Sequence, residues 1–120
     1  MVTETAIEWI KMLRAIAVVV CLAASLAAQT AADVEFFEKK IRPVLAERCY
    51  ACHSASATNV MGGLVVDTRD GIRKGGASGQ PSISPKQPEK SLLLAAIKRT
   101  GSLKMPPGKP LSDEVIADFE

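Results

Sequence analysis

Apolar positions divide the chain into one continuous run and several short periodic stretches. Ala15 to Leu26 is apolar except for one Cys and one Ser and has no polar face. Beyond it, apolar residues recur at helical spacing: Phe37, Ile41, Val44 and Leu45, then Leu92, Leu93, Ala96 and Ile97, then Val115, Ile116 and Phe119. The first set predicts a helix over Asp33 to Arg48, with Asp33 as N-cap and Phe36 widening its apolar face. Pro43 either kinks that helix or sits in the first turn of a second segment, where its missing N–H costs nothing. Leu64-Val65-Val66 is a short β-leaning run. Asp67 or Thr68 then caps a short helix to about Lys74 that Gly75-Gly76 ends. The next helix starts at Pro88 or Ser91, places Lys98 and Arg99 in its last turn, where cations suit the helix dipole, and closes at Gly101. Ser112 caps the last helix, with Asp113 and Glu114 in its first turn. Ser54 to Gly63 and Ala77 to Lys90 are loops, the second an ordered one wrapping the outside. The pattern predicts three to five short helices in this part of the chain.

The N-terminal run has the order of a secretory signal. Lys11-Met12-Leu13-Arg14 is a basic cluster, the apolar run follows, and small residues from Ala27 to Ala32 come next. A signal peptide is therefore expected over 1–32, cleaved after Ala27 or Ala32, with Met12 an alternative start because Glu4 and Glu8 are atypical of such a leader. The run is shorter than the roughly 20 residues that span a bilayer, so membrane contact is expected only through an uncleaved signal. Cys21 would leave with the signal, and Val20 stands where a lipoprotein anchor wants a small residue. The remaining chain, residues 33–120, suffices for one small domain with a thin core. Aromatic residues are only 4%, which suits a large planar cofactor as part of the interior. Net charge is +2 with Lys and Arg scattered singly, so nothing points to nucleic acid.

The chemistry is concentrated in Cys49-Tyr50-Ala51-Cys52-His53. Two thiols separated by two residues and followed at once by an imidazole form the attachment pattern of a c-type haem. Positions three apart share a helix face, so both thiols can reach one porphyrin edge as thioethers while His53 is carried under the iron. A zinc site would want four ligands, typically two such pairs, and only one pair is present. A redox dithiol would want a strand leading in, whereas the lead-in reads as helix. His53 is the only His in the chain. For a second axial ligand, Met105 is the candidate: Pro106 pushes it toward extended geometry, and Pro106-Pro107 stiffens the loop that presents it. Met61 follows His53 too closely to reach the other ring face easily and is read as packing on the porphyrin edge. Arg69, Arg73 and Lys104 are candidates for the haem propionates by proximity alone.

From Phe36 onward the chain resembles the cytochrome c domain of large secreted planctomycete proteins. The resemblance is carried by Ile41-Arg42-Pro43-Val44-Leu45, Cys49 to His53, Gly62-Gly63-Leu64, Lys74-Gly75-Gly76, Pro88 to Leu93 and Lys104-Met105-Pro106-Pro107. It implies an all-α cytochrome c fold wrapped around one covalent haem c, with Cys49 and Cys52 as thioether donors and His53 and Met105 as iron ligands. It also implies a domain that leads a longer protein, whose final helix runs on to a Trp. The stop at Glu120 before that point is read as a truncated C-terminal helix.

The leading functional expectation is an exported, periplasmic electron carrier without enzymatic activity of its own, serving redox partners or fused downstream domains. Two alternatives stand beside it. One is a haem enzyme or small-ligand sensor with a labile Met105. The other is a protein using Cys49 and Cys52 as a redox dithiol.

Overall fold

The computed structural model describes residues 4–120, and of residues 4, 5 and 19–29 the backbone alone. Cys21 and the Ala27 cleavage position thus fall outside the described side chains, as does Met1. Helices account for the regular structure, and no strand occurs among the described residues, so the domain is all-α as expected. The chain divides into two compact units, residues 1–37 and 38–120.

The first unit is essentially one helix, α1, Glu4–Phe36. Asp33 lies inside α1 and is not an N-cap, because helix already precedes it. Many described apolar side chains of α1 are exposed, among them Trp9, Leu13, Ile16 and Val34. Among the described residues no helix is long and apolar enough to cross a membrane.

The second unit opens with a π-turn that ends at Ile41, followed by α2, Arg42–Arg48, with Pro43 in the first turn of α2. Proline cannot donate to the carbonyl four residues back, and its ring crowds that carbonyl. The wider π-turn ahead of it accommodates both effects. Phe36 and Phe37, expected on one apolar face with Val44 and Leu45, lie in the first unit. Both Phe side chains are exposed, while Leu45 is only 2% exposed.

After α2 come α3, Tyr50–His53, a 3-10 turn at Met61–Gly63, and α4, Arg69–Lys74. Thr68 caps α4, its Oγ1 accepting from the Gly71 amide at 3.1 Å. Leu64 to Val66 is extended but unpaired as a strand; Leu64 N–H donates to the Met61 carbonyl at 3.3 Å and Val66 N–H to the His53 carbonyl at 2.8 Å. Gly75 ends α4 with φ 79°, and a Cβ there would lie 2.1 Å from the Gln80 carbonyl oxygen. At Gly76 a Cβ would lie 2.4 Å from the Gly62 oxygen, which accepts from Ala77 N–H at 2.7 Å. Two backbone segments therefore meet where only hydrogen atoms fit.

The Ser/Pro/Gly-rich stretch is tied down along its length. Ser82 is 1% exposed, its carbonyl accepts from Leu93 N–H at 2.9 Å, and Ser84 N–H donates to Ser91 Oγ at 2.9 Å. Ser91 precedes α5, Leu92–Ile97, yet makes no side-chain cap because its hydroxyl serves Ser84. Within α5 the inward face is Leu94, Ala96 and Ile97 rather than Leu92. Ser112 caps the last helix, α6, Asp113–Asp118, accepting from Val115 N–H at 3.4 Å. The core of the unit is Leu94, Ile97 and Leu111, with Val44, Leu93, Val115, Ile116 and Phe119 packed on it. Ion pairs Lys40–Asp118 and Lys98–Glu120 fasten α6 at its end.

Candidate functional site

Cys49 stands at the joint between α2 and α3. Its N–H completes α2 by donating to Leu45 O at 2.9 Å, and its carbonyl begins α3 by accepting from Cys52 at 3.1 Å and His53 at 2.9 Å. Its φ/ψ of −126°/−38° break the helix there, so the motif occupies one fresh turn. That turn brings together Cys49, Cys52 and His53, all half-buried. The two thiols are free rather than joined to each other. Burial pushes the Cys49 thiol above its ordinary pKa, and the neighbouring Arg48 guanidinium only partly opposes this. A redox nucleophile needs the opposite, a thiolate stabilised near neutral pH.

His53 is held from both directions. Cys49 O receives its amide, and its carbonyl receives Val66 N–H. Asp67 clamps the chain just beyond, both carboxylate oxygens accepting from Ala55 N–H at 3.2 and 3.1 Å. The ring nitrogen Nδ1 is buried with no hydrogen-bond partner among the described residues. An unmatched buried polar group costs about 1–3 kcal/mol, a cost that a partner outside the chain would relieve. Two half-buried thiols and this imidazole on a single turn are a donor set that fits a covalently attached haem.

Met105 is placed by α5 rather than by the motif turn. Its N–H donates to Ala96 O at 3.0 Å, and its side chain is half-buried. The end of α5 differs from the expected close at Gly101. The helix stops at Ile97, and Arg99 takes the left-handed conformation with φ 58°. Arg99 N–H donates to Ala96 O at 3.1 Å and Thr100 N–H to Ala95 O at 3.2 Å, the paired bonds of a Schellman end that glycine usually occupies. The left-handed region costs a residue with a Cβ roughly 1–2 kcal/mol. The Arg99 guanidinium then donates to Pro106 O at 3.0 Å, and Lys104 Nζ donates to Arg99 O. Lys104, one of the propionate candidates, is thereby engaged with α5. Further along, Arg48 Nη2 donates to Lys109 O at 2.7 Å, joining the segment after Met105 to the residue just before Cys49.

Met61 lies on the 3-10 turn that packs against α3, 54% exposed. Sequence reasoning passed over Arg48, Asp67 and Arg99 as supports of the site. Arg48 and Asp67 adjoin motif and cap residues, a signal that was available; nothing about Arg99 in the sequence marks a left-handed residue.

Compared with known proteins, residues 49–109 match the family described as Planctomycete cytochrome C, just over half the chain, from Cys49 through the Met105 loop. No curated protein matches the chain, and no solved structure does.

Proposed function

The chain belongs to the Planctomycete cytochrome C family, and on that premise we propose that it is an exported electron-transfer domain with one haem c held by Cys49 and Cys52 and ligated by His53 and Met105. The observation that carries the reading is the single helical turn that groups two free thiols with a half-buried imidazole whose Nδ1 is buried and unpartnered among the described residues. Cys49 and Cys52 would hold the group through thioether bonds. His53 ligates from its tethered turn, and Met105 approaches from the loop anchored on Ala96. Bound there, the haem iron supplies a one-electron ferric–ferrous couple. The Met105 thioether favours the ferrous state and raises the potential. Were His53 and Met105 both to hold the iron, no position would be left open for a substrate, which supports a carrier over a catalyst. The basic cluster, the apolar run and the exposed apolar side chains of α1 support export by a cleavable leader. Electrons then pass to redox partners or to domains fused downstream.

The test is a pyridine haemochrome spectrum of the full chain produced in a host with haem-attachment machinery. The expected result is a two-thioether spectrum, with colour surviving denaturing electrophoresis. A colourless protein with two titratable thiols in residues 49–53, from a host that loads a control cytochrome, would sink the reading. Carbon monoxide then separates carrier from sensor: the reduced protein is expected to bind it poorly at neutral pH, and ready binding would favour an open iron site.

A further inference from the structure

We propose that Arg99 is a positioning residue for Met105, acting as a latch that binds the methionine loop to the end of α5. The inference rests on the reading of Met105 as an iron ligand. Three hydrogen bonds bracket that residue. Lys104 Nζ reaches Arg99 O just before it, its own N–H reaches Ala96 O at 3.0 Å, and the Arg99 guanidinium reaches Pro106 O at 3.0 Å just after it. Arg99 takes part in the first and the last, once through its carbonyl and once through its side chain.

The backbone of Arg99 argues that the side chain is needed there. At φ 58° the helix end suits glycine, and two residues on the chain has a glycine, Gly101, with no neighbour within 4 Å of a built Cβ. Arginine nevertheless occupies the left-handed position. What it has that glycine lacks is a guanidinium reaching across to the loop, part-buried, where a charge-assisted donor is stronger than in water. Pro106 is itself buried, so its carbonyl, once fixed, fixes the chain that leads directly out of Met105. The backbone turn alone would end α5; the side chain adds the hold on the loop.

The two roles separate in the Arg99→Gly variant of the full holoprotein. Glycine is the better helix end, so a residue that only capped α5 would give a variant of equal or higher thermal midpoint with unchanged iron ligation. A latch predicts a midpoint held or raised while the weak red charge-transfer band of thioether-ligated ferric haem fades. Carbon monoxide should also bind the reduced form about tenfold faster, the factor expected for one lost hydrogen bond to a charged group. Arg99→Leu, which keeps a side chain and the left-handed strain but no donor, should show the same ligation change. Loss of the band in the glycine variant but not in the leucine variant would assign the effect to backbone freedom and overturn the latch. So would an unchanged band and carbon monoxide rate in both. Haemochrome content normalises each sample to covalently loaded protein. If the unaltered protein lacks the thioether band, and Met105→Ala changes nothing, the methionine reading itself has failed and the latch falls with it. A band present in the unaltered protein and lost in Met105→Ala leaves the variants at Arg99 to decide the latch alone.

Discussion

At Cys49 burial outweighs the attraction of the adjacent Arg48, and the thiol is held in its neutral form to higher pH than usual. In a haem-free sample the thiolate is therefore scarce near neutrality. Alkylation of Cys49, followed by mass mapping, should lag a free cysteine and accelerate only as pH passes the ordinary value of 9.0. Because the folded value is the raised one, the thiol's contribution to stability is intact below that pH and is lost as pH climbs through the folded value. Labelling as fast as for a free thiol throughout would contradict the burial. Under the proposed ligation, Met105→Ala should lower the midpoint potential, abolish the thioether band and open the iron to carbon monoxide; an unchanged potential by redox titration would remove Met105 from the ligand set. Of these residues the motif's three were legible from spacing alone. Met105 was singled out because a proline follows it, whereas Arg99 was not, since a left-handed arginine leaves no mark in composition or periodicity.

Short helices with local signals were the easiest elements to read. Thr68 and Ser112 accept the cap bonds their positions predict, and replacing Ser112 with Ala should cost about 1 kcal/mol in denaturant unfolding. Gly75 ends α4 as expected, and more sharply than turn preference requires: Gly75→Ala meets both a positive φ and a carbonyl 2.1 Å from the new Cβ. Its cost should exceed the roughly 1 kcal/mol of the cap and reach about 2 kcal/mol or more; a loss below that of Ser112→Ala would mean that the Gln80 strand of chain yields easily. Elements set by competition between partners were harder. Ser91 has a cap residue's identity, but its hydroxyl is taken by Ser84. Asp33 has one too, but α1 runs through it. Pro43 admitted two outcomes, and the π-turn ahead of α2 decided for the second. Leu64 to Val66 carries β-branched residues without a neighbouring strand to pair with among the described residues, and is tied by Leu64 N–H to Met61 and by Val66 N–H to His53.

For the molecule as a whole, the short helices followed from periodicity and the thin interior from chain length, while the side chains that form that interior show only in the packing. The central cluster is three aliphatic side chains with five partly buried ones around it. A domain of this size gains from a covalent core element. Cys49→Ser/Cys52→Ser protein, which cannot retain the group covalently, should show a lower and broader thermal transition and weaker near-ultraviolet circular dichroism than the loaded chain; an identical melt would mean that the aliphatic cluster suffices. The clasp from Ala77 N–H to the Gly62 carbonyl has a consequence in hydrogen exchange. It closes a ring of chain that contains all of α4, and Gly76 leaves no room for a side chain to wedge it open. A ring shut at its neck opens as a unit. The Ile72 and Gly75 amides should thus exchange with the same opening free energy as Ala77, while Leu93 and Met105, bonded outside the ring, keep their own.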